Sequence, residues 1–140
     1  MDYETISPED FGRSLGGLGL NLLVADVARE VAFLSGVFGM TTHRVSADFA
    51  IVVWRGQVFQ LHADRTYHSH PLPGLLPEAG PRGAGAELRL YGEDPDRAAA
   101  RAGAHGGTVL AASADKPHGL REAYILSPAG YAWVPSLPKT

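Results

Sequence analysis

Leu20-Asn-Leu-Leu-Val-Ala-Asp26 and Leu88-Arg-Leu-Tyr-Gly-Glu-Asp94 are the two stretches that decide how this chain folds. Each puts leucine at alternate positions, the period of a strand that packs one face and frees the other. Each then reaches an aspartate, whose carboxylate accepts hydrogen bonds from the first amides of a helix. After Asp26, Val27, Val31, Leu34 and Phe38 recur three or four residues apart, and Gly39 stops the helix they predict. After Asp94, an alanine-rich stretch containing Ala98, Ala99, Ala100, Ala102 and Ala104 predicts a second helix, ended by Gly106-Gly107. The two stretches lie 68 residues apart, from Leu20 to Leu88, so the chain reads as one unit used twice.

The flanking segments extend both copies. Residues 49–54 and 58–62, joined at Arg55-Gly56, predict a β-hairpin, and residues 108–112, 122–126 and 131–134 predict three more strands. Pro128-Ala-Gly130 supplies the last turn. The fold class is therefore α+β, built from two βαβββ modules over residues 18–66 and 85–136. Between them, Pro71, Pro73, Pro77 and Pro81 with Gly74, Gly80 and Gly83 mark a linker over residues 67–84. Ser7-Pro8-Glu9-Asp10 predicts a short N-terminal helix over residues 7–15, with a hydroxyl cap, proline in the first turn and acids at the positive end. At 140 residues the chain is expected to form a single domain.

Composition removes several functions. Twelve Lys and Arg against 15 Asp and Glu give a net charge of −3 with no basic block, so nothing supplies the phosphate neutralisation that nucleic-acid binding needs. With no cysteine, disulfides, thiolate nucleophiles and sulfur-ligated zinc are excluded. No stretch approaches the roughly 20 apolar residues of a membrane span, and the acidic start lacks a basic and apolar leader, so the expected partner is not a membrane and the expected location is the cytoplasm. The glycine-rich stretches lack both dinucleotide and Walker patterns, and no G-x-S-x-G elbow is present.

In order along the chain, Leu20-x-Leu-x-Val-x-Asp26, Phe38-Gly39, Phe59-Gln-Leu61 and Ser127-Pro-Ala-Gly-Tyr-Ala-Trp133 resemble the vicinal oxygen chelate superfamily. That superfamily includes glyoxalase I, extradiol dioxygenases, methylmalonyl-CoA epimerase and the bleomycin resistance proteins. Ser127 stands where the family's turn carries aspartate. The resemblance implies that the modules form a curved, cup-like mixed sheet with the helices outside, that the cup holds a small organic molecule, and that the protein is a homodimer. It also implies four metal-ligand positions, which fall here on Gly19, Gln60, Glu87 and, by a shift of 74 residues from Gln60, Val134. Glycine and valine cannot ligate, so the usual divalent metal is not expected and no other cofactor is implied.

Alternation adds an independent expectation. With Leu20, Leu22, Leu88 and Leu90 turned towards the helices, Asn21, Glu87, Arg89 and Tyr91 share the opposite face, as do Gln60 and His62 on their hairpin strand. Polar groups facing inward are costly unless satisfied, and ligand pockets gather them. Glu87 and His62 are thus the candidates for proton transfer, and Asn21, Trp54, Gln60, Arg89 and Tyr91 for ligand binding, joined by His118 and Arg121, which the resemblance implies lie on a loop at the cup's mouth. The leading expectation is a glyoxalase-like, bleomycin-resistance-like binding protein. The alternatives are a lyase, isomerase or dioxygenase whose metal centre is rebuilt on Gln60 and Glu87 with His62 or His118, and an interaction module without a ligand. His68 and His70 are expected on the exposed linker.

Overall fold

A computed structural model of the chain describes residues 1–77 and 80–140; Glu78 and Ala79, in the expected linker, lie outside the described residues. Helix α1 (Pro8–Ser14) precedes the first module, which runs β1 (Asn21–Val24), α2 (Val27–Phe38), β2 (Thr41–His43), β3 (Phe49–Trp54) and β4 (Gln57–Ala63). The second module runs β5 (Gly83–Tyr91), α3 (Pro95–Ala102), β6 (Thr108–Asp115), β7 (Leu120–Leu126) and β8 (Tyr131–Pro138). Each module forms a four-stranded sheet, in the orders β1-β4-β3-β2 and β5-β8-β7-β6. The first and last strands of each module pair in parallel and the rest are antiparallel. This is the paired βαβββ architecture that the sequence predicts.

The local signals act as expected. Ser7 accepts from the Asp10 amide at 3.1 Å, Asp26 from that of Arg29 at 3.1 Å, and Asp94 from those of Asp96 and Arg97 at 2.9 and 3.3 Å. Gly39 closes α2 in the left-handed region at φ 69°, its amide donating to Ser35. At the last turn Gly130 has φ 91°, and a Cβ there would come within 2.7 Å of the Arg82 amide nitrogen, so both conformation and space require glycine.

The register recovers the internal repeat. Asn21 pairs with Gln60 and Arg89 with Val134, so the 68-residue offset of the first strands and the 74-residue offset of the last strands both hold. One hydrophobic cluster draws on both modules: Phe33, Leu34 and Phe38 of α2 meet Leu22 and Leu61 of one sheet and Leu90, Ile125 and Trp133 of the other. Each of these large side chains contributes roughly 1.5–3 kcal/mol by burial. Polar ties fix the modules to each other. Arg82 grips Asp64 with both nitrogens at 2.6 and 2.7 Å, Tyr131 donates to the Leu23 carbonyl at 2.8 Å, and Arg55 donates to that of Gly92 at 2.7 Å.

Several boundaries differ from the sequence reading. The first strand starts at Asn21 rather than residue 18, because residues 15–19 are exposed and have no pairing partner among the described residues. β2, which no local signal in the sequence marks, exists because Thr41, Thr42 and His43 pair with Val53, Val52 and Ile51. β5 begins at Gly83, inside the expected linker, where Gly83 pairs with Tyr131 before a register shift. Short 3-10 turns lie at Asp64–Tyr67, where the first module meets the linker, and at Pro73–Leu75 within it.

Candidate functional site

On the face of the second sheet turned away from α3, alternation brings Glu87 and Arg89 of β5 beside Glu122 and Tyr124 of β7. The order β5-β8-β7 leaves one strand between them, and β8 offers Ala132, Val134 and Ser136 on this face, with Glu87 opposite Ala132, Arg89 opposite Val134 and Ser136 opposite Glu122. The guanidinium of Arg89 spans that gap. It bonds Glu87 at 3.2 Å on its own strand and Glu122 across the sheet. The Glu122 side chain is 3% exposed against 44% for Glu87, so the cross-strand pair is the desolvated one. Burial pushes the Glu122 carboxyl up, but the hydrogen bond and charge of Arg89 outweigh it, and the net shift is downward. The Tyr124 hydroxyl lies 3.5 Å and His118 Nε2 3.7 Å from the same carboxylate oxygen. Its bond to Glu87, its burial and the Glu122 charge all push the Tyr124 hydroxyl up.

The first sheet presents a different face. Asn21 and Gln60 are cross-strand partners, as are Leu23 and His62. Gln60 Oε1 lies 3.0 Å from His62 Nε2, and burial lowers the His62 pKa, which favours neutral imidazole. The ring of His62 packs against Phe49 at 5.2 Å and Tyr67 at 5.3 Å, and His70 also packs against Tyr67, at 4.6 Å. Helix α1 lies over this sheet with Phe11 buried, enclosing a crevice of about 410 Å³ lined by Phe11, Leu15, Arg44, Phe49, Ile51 and Gln60.

Between the modules opens a larger cavity of about 730 Å³. Its apolar wall is Trp54, Phe59, Leu88, Leu90 and Trp133, and Glu87 with Arg89 supplies charge. Both faces of β5 contribute because β5 is an edge strand of its sheet. Tyr3 and Leu15 lie at its margin. Phe59 and Trp133 pack at 5.8 Å, and the buried Nε1 of Trp133 has no hydrogen-bond acceptor among the described residues.

The structure therefore joins the candidates in pairs: Glu87 with Arg89 in the inter-module cavity, and Gln60 with His62 on the other sheet, Gln60 lining the crevice beneath α1. Trp54 lines the cavity as well. Tyr91 is exposed, with Arg89 5.5 Å from its ring centre, and Asn21 is exposed beside Gln60. His118 faces Glu122 from the loop. The Arg121 fork is occupied by Asp96 at 2.9 and 3.0 Å and by Asp115 at 3.2 Å. Glu122 and Tyr124 are the members that sequence reasoning missed. Their signal was present, because alternation along residues 122–126 puts both opposite Ala123 and Ile125, which pack inward.

The metal positions implied by the family resemblance do not fit a divalent ion. Gly19 and Val134 have no donor atom, and Gln60 and Glu87 line different cavities and are bonded to His62 and Arg89. Among the described residues no three His, Asp or Glu side chains gather as a possible cage.

No family model matches this sequence, and no curated protein does. Solved structures do. The chain is similar to a glyoxalase/bleomycin resistance protein/dioxygenase family enzyme from Burkholderia phytofirmans PsJN, with 19% identity, 86% of this chain and 96% of that chain covered, and a TM-score of 0.70. It is similar to a glyoxalase-related enzyme from Fulvimarina pelagi, with 19% identity, 88% of each chain covered and a TM-score of 0.71. A glyoxalase/bleomycin resistance protein/dioxygenase from Nocardioides matches at 21% identity over 93% of this chain and 91% of that one, with a TM-score of 0.65. The chain thus has the fold of the glyoxalase, bleomycin resistance and dioxygenase proteins.

Proposed function

We propose that the chain binds a small organic molecule with an aromatic or apolar body and an anionic group in the cavity between its modules. The observation that carries this reading is the cavity itself: about 730 Å³, walled by Trp54, Phe59, Leu88, Leu90 and Trp133, with Arg89 as its cation. That volume lies within the range of small-molecule sites, which combine apolar walls with a few placed polar groups. Arg89 is held by two carboxylates before any ligand arrives, so the cation is positioned rather than free. The fold that the chain shares with bleomycin resistance proteins agrees with binding as the activity, and the poor donor set favours binding over metal-assisted chemistry.

Both tryptophans of the chain line this cavity, so their fluorescence reports its occupancy directly. Titration of a panel of aromatic carboxylates should quench or shift the emission saturably for at least one member. Leu88→Glu should abolish that response, and Arg89→Met should weaken it about tenfold or more. A panel in which no member perturbs the emission, or a response that survives both substitutions, would refute the reading.

The same reading includes a symmetric dimer. β6 is an unpaired edge whose residues 108–114 carry no charge and expose Val109 and Leu110, a surface that favours pairing with a second chain.

A further inference from the structure

Trp54 also lines a second, separate cavity of about 360 Å³, where the end of α2 and the start of β3's hairpin turn meet α3. Three arginines converge there. Arg97 and Arg101 stand one turn apart on the same face of α3, and Arg55 comes across from the hairpin turn. Among the described residues the only carboxylate in the lining is Glu93. The lining therefore has a formal surplus of two positive charges in a chain whose net charge is −3. Among the described residues, neither Arg97 nor Arg101 has an ion-pair partner. Asp94 also acts on Glu93, but its Oδ1 is engaged by the first amides of α3.

The position of Arg55 adds an independent observation. It has φ 49°, left-handed backbone that the two-residue hairpin turn demands and that asparagine or glycine would adopt at less cost. Its guanidinium lies 4.8 Å from the Trp54 ring centre and bonds the Gly92 carbonyl at 2.7 Å. Gly92 leaves the room for that approach, since a Cβ there would fall 2.3 Å from Arg55 Nη1. An unfavourable backbone, a stacked ring and a missing side chain thus together hold one cation at the cavity.

We propose that this cavity is an anion-binding site for a phosphoryl group, inorganic phosphate or a phosphate monoester, held by Arg55, Arg97 and Arg101. The surplus of two charges matches the roughly −1.5 to −2 of a phosphoryl group at neutral pH, and guanidinium forks fit its oxygens in pairs. Glu93 opposes a bound anion. Burial pushes its carboxyl up, which lowers the cost of neutralising it when the anion enters.

Isothermal titration at constant ionic strength, with inorganic phosphate and methyl phosphate as separate probes, tests the assignment. The expected result is one saturable site per chain, weakened roughly tenfold to a hundredfold by Arg97→Gln with Arg101→Gln and strengthened by Glu93→Gln. Both arginines are exposed, so the double variant should keep the wild-type melting temperature in the absence of phosphate. Tighter binding of methyl phosphate identifies an ester as the occupant, and equal binding identifies the free anion. No saturable heat with either probe, or unchanged affinity in the folded double variant, would overturn the proposal. So would an acidic peptide that needs the same arginines where phosphate does not bind.

Discussion

Replacing Arg89 with methionine removes the cation that holds Glu122, and the structure sets the size of the effect. Methionine keeps the aliphatic stem, so the loss is electrostatic rather than a cavity. Glu122, with its side chain 3% exposed, would remain charged and without its cation. Breaking a buried pair in this way costs roughly 3–5 kcal/mol, because the remaining charge keeps its desolvation penalty. The Glu87 arm is different, since its carboxylate is 44% exposed and water screens it; that arm is worth about 1 kcal/mol or less. The expected loss is thus a large fraction of the roughly 5–15 kcal/mol that folded domains possess. In urea, with a slope of about 1.5 kcal/mol per molar, the unfolding midpoint should fall by roughly 2–3 M. Adding Glu122→Gln to Arg89→Met should recover most of that loss, while Glu87→Gln alone should barely move the midpoint. An Arg89→Met midpoint within about 0.5 M of wild type would refute the reasoning, as would a double variant no more stable than the single one.

Two further expectations follow from other parts of the molecule. Glu30 is fully buried on α2; Oε1 accepts from the Ala129 amide at 2.9 Å and Oε2 has no partner among the described residues. Burial raises its pKa above the ordinary 4.5, so its contribution to stability is complete below that value and is lost as pH rises through the raised one. Melting temperatures across pH should therefore show wild type losing ground to Glu30→Gln as pH increases from about 4 to 8; a constant difference would contradict this. Light scattering at micromolar concentration should give twice the 14.8 kDa chain mass, and Leu110→Lys on the β6 edge should shift it towards the monomer. A monomer mass for the wild-type chain would exclude the dimer.

What was legible in the sequence is local in origin. The caps Asp26 and Asp94, the stop at Gly39 and the alternating leucines act between residues at most four positions apart, and these neighbours fix helix starts and strand faces before any tertiary contact forms. From those signals came the two βαβββ units, the 68-residue repeat and the Glu87–Arg89 pair on one strand face. β2 has no such signal. It is a three-residue strand whose only cause is its pairing with β3.

Everything that distinguishes the cavities required the assembled sheets. Glu122 becomes the main partner of Arg89 although 33 positions separate them, because the order β5-β8-β7 sets their distance and small residues on β8 leave the path open. Helix α1 was readable as a helix, but only its docking on the first sheet brings Phe11 to the crevice it shares with Phe49 and Ile51, about 40 positions away. Likewise Arg55, Arg97 and Arg101 are unremarkable charges along the chain, and only the packing of α3 beside the hairpin turn gathers them around Glu93. The sequence by itself determined where the helices and the longer strands form and which residues share a strand face, since these depend on neighbours along the chain. The tertiary structure alone decided which charges distant in sequence become partners and where the cavities open, because long-range distance and desolvation exist only once the two modules are packed.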